Sequence, residues 1–381
     1  KKKFFTKKEL YFILLSSIIT SSLIIFSNVN RPDAGLYHLP YISTLNENKI
    51  IFGLTNIHFR FGMNSILQYL SAVNYNFLFK EKGIIIPLAS IVSFFIIHFF
   101  NNVLKIFKNF ESTSYQNVFS LFIIIFISYK INRYSSFGND AVAHLSYFYF
   151  ISLLLDKDTN NLKLISLISI FIFLNKATML VVLLVPLILF IKNFSLKNFK
   201  LIYSFAGLFL FSWILKNIIV SGCIIYPLPE TCFDKLSWTD YAEISQENTS
   251  GEAWSKDWPN RNNKEISMDD YIKNFSWFLS WSKNHGLIFT KIVFPYLIFT
   301  ILIAYLISRR KSSKFFLGMK KNSNYRMLLI VSLIGTILFF IKFPLYRYGY
   351  SYLISLFILF IFLIIKNFDK EKLQIYSKIL F

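Results

Sequence analysis

Two aspartates stand beside apolar segments, at positions where a carboxylate can do chemistry. Asp33 follows the apolar run 10–27 within RPDAGLYHLP, and Asp140 ends the stretch SSFGND just before another apolar run. A carboxylate held at a membrane boundary can act as a general base towards a hydroxyl group. Each aspartate also has a structural interpretation, because an acid in the first turn of a helix interacts favourably with the helix dipole. The sharper hypothesis is that both acids face one cleft at the outer ends of two helices.

Cationic and aromatic side chains near the same boundaries are candidates for binding an anionic substrate. Lys176 and Arg347 are candidates for binding an anion such as phosphate, because cationic N–H groups bind phosphate oxygens strongly. Arg60 lies in the segment that follows the first apolar run, and the family resemblance described below makes it a third phosphate candidate. The alternative for Arg347 is that it snorkels from an interfacial position. The other substrate-binding candidates all follow the first apolar run, and they are Tyr37, His38 and His58.

The composition predicts which class of protein holds these residues. Of the 381 residues, 55% are hydrophobic and 45 are Phe, which is typical of a polytopic membrane protein. The net charge of +21 does not indicate nucleic-acid binding, since the cations lie in short loops beside apolar runs. Cations in such loops act as topology signals, so no nucleic-acid partner is expected.

Apolar runs predict an all-α polytopic membrane protein with about ten transmembrane helices. The runs are 10–27, 83–104, 117–131, 141–155, 164–175, 177–191, 200–217, 287–308, 326–343 and 351–366. Residues 164–191 fit either one long helix or two short ones that meet at LNKAT. The cationic N-terminus, the basic loop 308–321 and the basic C-terminus should all be cytoplasmic. Only an even number of crossings before residue 309 allows this, which favours two short helices.

The domain organisation follows from these spans. A single transmembrane domain covers 1–366, and a cytoplasmic tail covers 367–381. The domain includes an outer loop, 28–82, and an outer cap, 218–286, in which ten Asp and Glu face six Lys and Arg. Helical spacing of apolar residues in 64–79 predicts a helix in the membrane interface. The tryptophans of the outer cap fit either interfacial anchoring or stacking against sugars.

The outer cap also holds both cysteines of the chain, Cys223 and Cys232. A disulfide that closes a small loop and a pair of free thiols are both open alternatives. The spacing is not a metal-ligand pattern. The sequence contains no phosphate-binding P-loop, no zinc-protease motif, no serine-hydrolase elbow and no dinucleotide fingerprint, so nothing in it supports ATP-driven transport or serine hydrolysis by those devices.

The chain resembles the GT-C glycosyltransferases, which use polyprenyl-phosphate-linked sugars. The stretches that carry the resemblance are RPDAGLYHLPYI, SSFGND, NKAT, WILKNIIVSGCIIYPL and FPLYRYGYSY. The segment GLTNIHFRFGMNS resembles a subgroup of bacterial multi-spanning membrane proteins with a Gly-Leu-x-Asn-x-His-x-Arg-x-Gly run. The resemblance implies a multi-pass protein of the bacterial inner (cytoplasmic) membrane, in cell-envelope polysaccharide biosynthesis, whose active site faces the periplasm or cell exterior.

The resemblance also implies a reaction, an inverting transfer of a hexosyl or pentosyl group. The donor is a polyprenyl-phosphate-linked sugar, and the acceptor is a glycan, a lipid or a protein. Asp33 matches the acid of the first outer loop and would be the general base, while Asp140 matches the second acid. One departure is that many members carry a second acid next to the first, whereas Asp33 is followed by Ala34 and Gly35. Some members use a divalent metal and others do not; the residues here leave both open, and no metal ligand is assigned.

Two other functions remain as alternatives. A flippase or transporter of lipid-linked oligosaccharides predicts charged residues deep in several helices and internal repeats, but only Lys176 lies deep and no repeat is visible. A non-catalytic membrane protein of polysaccharide assembly predicts that Asp33 and Asp140 lie far apart.

Overall fold

The computed structural model describes residues 7–63, 65–108, 114–130, 136–156, 162–192, 196–310 and 323–367, and within these ranges the protein is helical with no β-strand. The α-helices are α1 (Lys7–Phe26), α2 (Leu39–Glu47), α3 (Ile66–Asn74), α4 (Lys80–Gly83), α5 (Ile86–Lys108), α6 (Tyr115–Lys130), α7 (Asp140–Leu155), α8 (Leu162–Asn175), α9 (Leu184–Lys192), α10 (Leu196–Ser221), α11 (Tyr241–Ser255), α12 (Met268–Lys273), α13 (Trp277–Trp281), α14 (Leu287–Arg310), α15 (Ser323–Lys342) and α16 (Tyr346–Asn367). Shorter 3₁₀ or π segments are Ala34–His38, Leu54–Asn56, Phe59–Gly62, Ala177–Leu183, Pro229–Thr231, Trp258–Asn260 and Ser282–Gly286.

Several of these helices have the length and composition of membrane spans. In the described part of the chain, four segments are long and apolar enough to cross a membrane, namely Lys80–Lys108, Trp277–Leu306, Asn324–Lys342 and Tyr346–Leu363. Six shorter apolar helices are Leu10–Phe26, Tyr115–Tyr129, Asp140–Leu155, Leu162–Asn175, Ala177–Lys192 and Phe205–Ser221. The fold therefore fits a helical membrane protein, as the composition predicts.

Parts of the predicted topology lie outside the described residues. These parts are the first six residues, most of the basic loop 308–321 and nearly all of the tail 367–381. The cytoplasmic placement of both termini therefore stays a prediction.

The ambiguous segment 164–191 consists of two pieces. Helix α8 ends at Asn175, and Lys176 adopts an extended backbone with φ −155° and ψ 112°. The chain then continues as the 3₁₀ segment Ala177–Leu183 before α9. Because an extended residue cannot continue the helical hydrogen bonds, the helix breaks at the one charged residue of the segment.

The predicted span 287–308 is only part of a longer helical segment. Helix α13, the π turn Ser282–Gly286 and α14 follow one another directly. Trp277 and Trp281 are buried and pack against Phe340 of α15. This aromatic packing, which hydropathy does not register, extends the helix beyond the apolar run. These two tryptophans are therefore buried in the protein and are not exposed for contact with lipid or a sugar.

Helix α7 lies at the centre of the fold. Its side chains from Ala141 to Phe148 are buried around the whole helix, and it packs against α5, α8 and α16. A helix that is apolar on all sides belongs in the interior of a bundle. The first residue of α7, Asp140, is thereby held at the end of the most deeply packed element.

The outer loop contains the predicted surface helix, but it is shorter than 64–79. Helix α3 begins after Ser65, whose backbone N–H donates to Oε1 of Gln68 at 2.8 Å, and it ends at Asn74. The predicted residues Phe77 and Leu78 lie beyond its end and are 85% and 68% exposed. Exposed apolar side chains next to a membrane span suit an interfacial position.

Candidate active site

One cavity of about 510 Å³ collects most of the predicted site residues. It is lined by both aspartates and by five of the predicted substrate-binding residues, namely Tyr37, His38, Arg60, Lys176 and Arg347. Asp33 and Asp140 therefore lie at one cavity, and the wide separation that a scaffold predicts is wrong. His58 does not line the cavity, although its ring centroid lies 6.4 Å from that of Tyr37.

Asp33 lies directly before the π-helical turn Ala34–His38. It makes no side-chain capping bond to that turn, so it does not act as a helix cap. Its Oδ2 instead accepts a hydrogen bond from Nη1 of Arg347 at 3.2 Å. The side chain of Asp33 is 39% exposed. The carboxylate is thus paired with a cation and still open to the cavity.

Asp140 is held more firmly. Its carboxylate forms an ion pair with the ammonium of Lys176, whose side chain is only 8% exposed. The Lys176 Nζ also donates to the Arg347 carbonyl oxygen at 3.2 Å and lies 4.7 Å from the ring centroid of Tyr348. Asn139, directly before α7, makes no capping bond, and its side-chain amide donates to the Asn175 carbonyl oxygen. The start of α7 is therefore fastened to the end of α8.

Arg347 connects the two carboxylates. Its Nη1 binds Asp33, and its Nη2 donates to the Tyr348 hydroxyl at 3.3 Å. The buried Nε has no hydrogen-bond partner within the described ranges. An unsatisfied buried N–H group is costly, and a ligand oxygen would satisfy it.

The backbone of Arg347 is held by the side chain of His144. The Nε2 of His144 lies 2.8 Å from the Arg347 carbonyl oxygen, and Nδ1 lies 2.7 Å from the Ser351 hydroxyl. Because a carbonyl only accepts, Nε2 carries the proton and Nδ1 accepts from Ser351. The sequence alone assigned His144 no role.

The tautomer of His38 follows from its neighbours. The Ser65 N–H donates to Oε1 of Gln68 at 2.8 Å, which turns the Gln68 amide nitrogen towards Nδ1 of His38 at 3.2 Å. The His38 Nδ1 is therefore an acceptor, and Nε2 carries the proton. Burial lowers the pKa of His38 to about 4, with the nearby Asp33 and Asp140 opposing the shift. His38 is accordingly neutral near pH 7.

Arg60 lies between aromatic rings at the cavity wall. Its guanidinium carbon is 4.8 Å from the ring centroid of Phe59 and 5.9 Å from that of Tyr37. The backbone N–H of Arg60 donates to Nδ1 of His58 at 3.0 Å. The His58 side chain thereby caps the start of the 3₁₀ segment Phe59–Gly62. Burial, followed by the charge of Asp33, raises the pKa of the Tyr37 hydroxyl, which keeps that hydroxyl protonated.

Other lining residues were missed by sequence reasoning. They are mainly polar and aromatic side chains of α10 and the outer cap, and include Trp213, Asn217, Tyr226, Glu247 and Trp254. The Trp content of the cap was a signal, but composition did not distinguish Trp254 from the tryptophans that pack in the interior.

The structure joins Cys223 and Cys232 in a disulfide. The loop between them carries Tyr226, Pro227 and Leu228, and these three residues line the cavity. The disulfide therefore closes a small loop that forms one wall of the site.

The charges of the lining residues do not balance. Three carboxylates stand against four cations, since the acids are Asp33, Asp140 and Glu247 and the bases are Arg31, Arg60, Lys176 and Arg347. The charged side chains that line the cavity therefore carry one net positive charge, which suits an anionic ligand. In the part of the chain that the structure describes, no group of three or more His, Cys, Asp or Glu side chains is placed to hold a metal ion.

Comparison with known proteins assigns the chain to a family. The sequence model of a domain of unknown function, DUF8201, matches residues 1–354. No curated protein and no solved structure matches the chain. Because the match covers most of the chain, the protein belongs to the DUF8201 family.

Proposed function

We propose that the protein is a membrane glycosyltransferase of the GT-C type. It transfers a hexosyl or pentosyl group, with inversion, from a polyprenyl-phosphate donor to an acceptor hydroxyl. Asp33 is the general base, and the acceptor is a glycan, a lipid or a protein. The reaction takes place on the extracytoplasmic side of the bacterial inner membrane.

The observation that carries the proposal is the combination of Asp33 and Arg347 in one cavity. A half-exposed carboxylate can receive a proton, and the arginine beside it has a buried Nε without a partner in the described chain. A phosphate oxygen would satisfy this N–H group in the forked geometry that guanidinium groups favour. The surplus positive charge of the cavity points the same way.

The proposed reaction follows from these positions. Asp33 takes the proton from the acceptor hydroxyl as its oxygen forms a bond to the anomeric carbon. The bond between that carbon and the phosphate oxygen breaks, and its electron pair leaves with the polyprenyl phosphate. Arg347, Lys176 and Arg60 stabilise the charge that develops on the leaving phosphate. The leaving phosphate gains negative charge as Asp33 loses its own on protonation, so the net charge in the cavity changes little.

Ten crossings with both termini in the cytoplasm fit the position of the cavity. If each of the ten apolar helices crosses once, the lining residues Asp140, Lys176, Asn217 and Arg347 all fall at outer ends. The disulfide between Cys223 and Cys232 belongs to the same side, and disulfides persist in oxidising compartments outside the cytoplasm.

The function is tested on the purified protein in proteoliposomes. Polyprenyl phosphates that carry labelled hexoses or pentoses serve as donors, and mass spectrometry measures released polyprenyl phosphate. We expect release by the wild type when an acceptor glycan is present. A separate arm measures binding of polyprenyl phosphate itself by native mass spectrometry. Arg347→Gln should weaken this binding, whereas Arg326→Gln, an exposed arginine that does not line the cavity, should leave it unchanged.

Two outcomes overturn the proposal. One is that the wild type neither cleaves any of the donors nor binds polyprenyl phosphate. The other is that intact donor crosses the bilayer without cleavage, which supports a transporter of lipid-linked sugars instead.

A further inference from the structure

One face of helix α11 in the outer cap lines the same cavity as the phosphate candidates. The residues on it are Glu247, Gly251 and Trp254, with Asn248 beside them. Positions four and seven residues apart lie on the same side of a helix. The face thus presents a carboxylate, a residue without a side chain and an indole ring in sequence along the cavity wall.

The middle of this face is open. A Cβ atom built on Gly251 would meet nothing within 4 Å. The Trp254 side chain is 51% exposed although it lines the cavity. A flat ligand can therefore lie against the indole ring and approach the helix backbone at Gly251. Indole rings offer a broad apolar face for such contacts.

The polar groups at the far end of the face continue towards Asp33. Burial raises the pKa of Glu247, and the positive charge of Arg60 opposes this shift, so the two groups interact electrostatically. Arg60 in turn lies over the ring of Tyr37, and the charge of Asp33 raises the pKa of the Tyr37 hydroxyl. A ligand on the α11 face would therefore extend along this wall towards the proposed base.

The helix that carries the face is connected to the segment before Arg347. Glu252 binds Lys256 at 2.5 Å and Lys342 at 3.2 Å, which joins α11 to the end of α15. The Trp281 Nε1 of the cap also donates to the Pro344 carbonyl oxygen at 2.8 Å. These contacts place the cap next to the chain segment that leads into Arg347.

We propose that the α11 face is the acceptor subsite and binds a hexose ring of a glycan. The apolar C–H side of the sugar stacks on Trp254 above Gly251, and its hydroxyl groups pair with Glu247 and Asn248, which offer acceptors and donors. This inference rests on the proposed function for the meaning of "acceptor", and the sugar binding itself is testable alone.

The test is saturation-transfer NMR on the full-length protein in nanodiscs. The probes are the methyl glycosides of glucose, galactose, mannose and N-acetylglucosamine and their β-linked disaccharides. We expect binding of at least one probe, with the strongest transfer to protons on one face of the ring. Trp254→Ala and Gly251→Leu should each weaken this binding about tenfold, since the first removes the stacking surface and the second fills the open space.

Matched controls lie on the same cap. Gln246→Leu changes an exposed residue of α11 that does not line the cavity, and Phe233→Ala removes an aromatic ring that is 45% exposed elsewhere on the cap. Both should bind the probes like the wild type, and circular dichroism confirms that all variants are folded.

The outcomes separate this inference from the proposed function. It is overturned if no probe binds the wild type, or if Trp254→Ala and Gly251→Leu bind as well as the controls. Binding lost in both variants, with polyprenyl-phosphate binding unchanged, supports an acceptor subsite separate from the donor site. If the variants lose sugar binding but the wild type neither cleaves any donor nor binds polyprenyl phosphate, the sugar subsite stands and the proposed function fails.

Discussion

The two carboxylates of the cavity are held in very different ways. Asp140, whose side chain is 28% exposed, begins the most deeply buried helix and pairs with Lys176, which is only 8% exposed. Asp33 precedes a π turn of the outer loop, is 39% exposed and is bound by one nitrogen of Arg347 at 3.2 Å. A buried ion pair is expensive to break, whereas a half-exposed one exchanges partners readily. Under the proposed function, this comparison favours Asp140 as a positioning residue and Asp33 as the group that takes the proton.

Arg347 makes the two regions depend on each other. Its side chain contacts Asp33, while its carbonyl oxygen accepts from the Lys176 that pairs with Asp140. The pair of Asp140 and Lys176 therefore helps to position the Arg347 backbone, while the Arg347 guanidinium binds Asp33. Four predictions test this division of roles.

The largest expected effect is on the reaction rate of Asp33→Asn. Loss of a general base should lower transfer about 10²–10⁴-fold. The free energy of unfolding should change by less than about 1 kcal/mol, as for exposed ion pairs. Donor turnover and thermal unfolding are the two measurements, and Asp234→Asn, an exposed acid of the cap, is the control. Retained full turnover would reject Asp33 as the base.

The next effect is on stability in Asp140→Asn. This change leaves the Lys176 ammonium buried without its carboxylate, so the free energy of unfolding should fall by about 3 kcal/mol. Adding Lys176→Met should restore part of the loss, because it removes the unpaired charge. Chemical unfolding in detergent measures both variants. Equal stability of Asp140→Asn and Asp33→Asn would break the comparison.

A smaller loss is expected for His144→Phe. It removes the donor to the Arg347 carbonyl oxygen and the acceptor for Ser351, at a cost of about 1–3 kcal/mol. If His144 only positions Arg347, binding of polyprenyl phosphate should weaken in the same variant, and His144→Gln should recover some of it. Unchanged carrier binding in the folded Phe variant would contradict this positioning role.

The smallest effect within a single pH unit is the pH dependence from His38. Its pKa is about 4 in the folded protein against 6.5 unfolded, so the unfolded state binds more protons between these values. Stability should therefore decrease as the pH falls from 6.5 to 4, by at most about 1.4 kcal/mol per pH unit. Thermal unfolding across this range should show a flatter profile for His38→Asn. A wild-type profile that matches the variant would exclude a buried neutral His38.

Sequence reasoning succeeded where the signal is local and failed where it depends on packing. The polar residues at span ends were recognisable because polarity is unusual beside apolar runs, and Asp33, Asp140 and Lys176 line the cavity as expected. His58 was grouped with them by proximity along the chain, yet its Nδ1 bonds the Arg60 N–H. Gly251 carried no signal, since only the open space above it makes it relevant.

By itself, the sequence determined the helical membrane class and most of the apolar segments, because hydropathy is a local property of the chain. It also marked the acids and cations that the cavity collects. Only the tertiary structure decided which of them meet. Asp33 and Arg347 are 314 residues apart, and His144 and the Arg347 carbonyl oxygen are 203 apart. Such pairings depend on how helices pack, and a single sequence carries no local pattern for them.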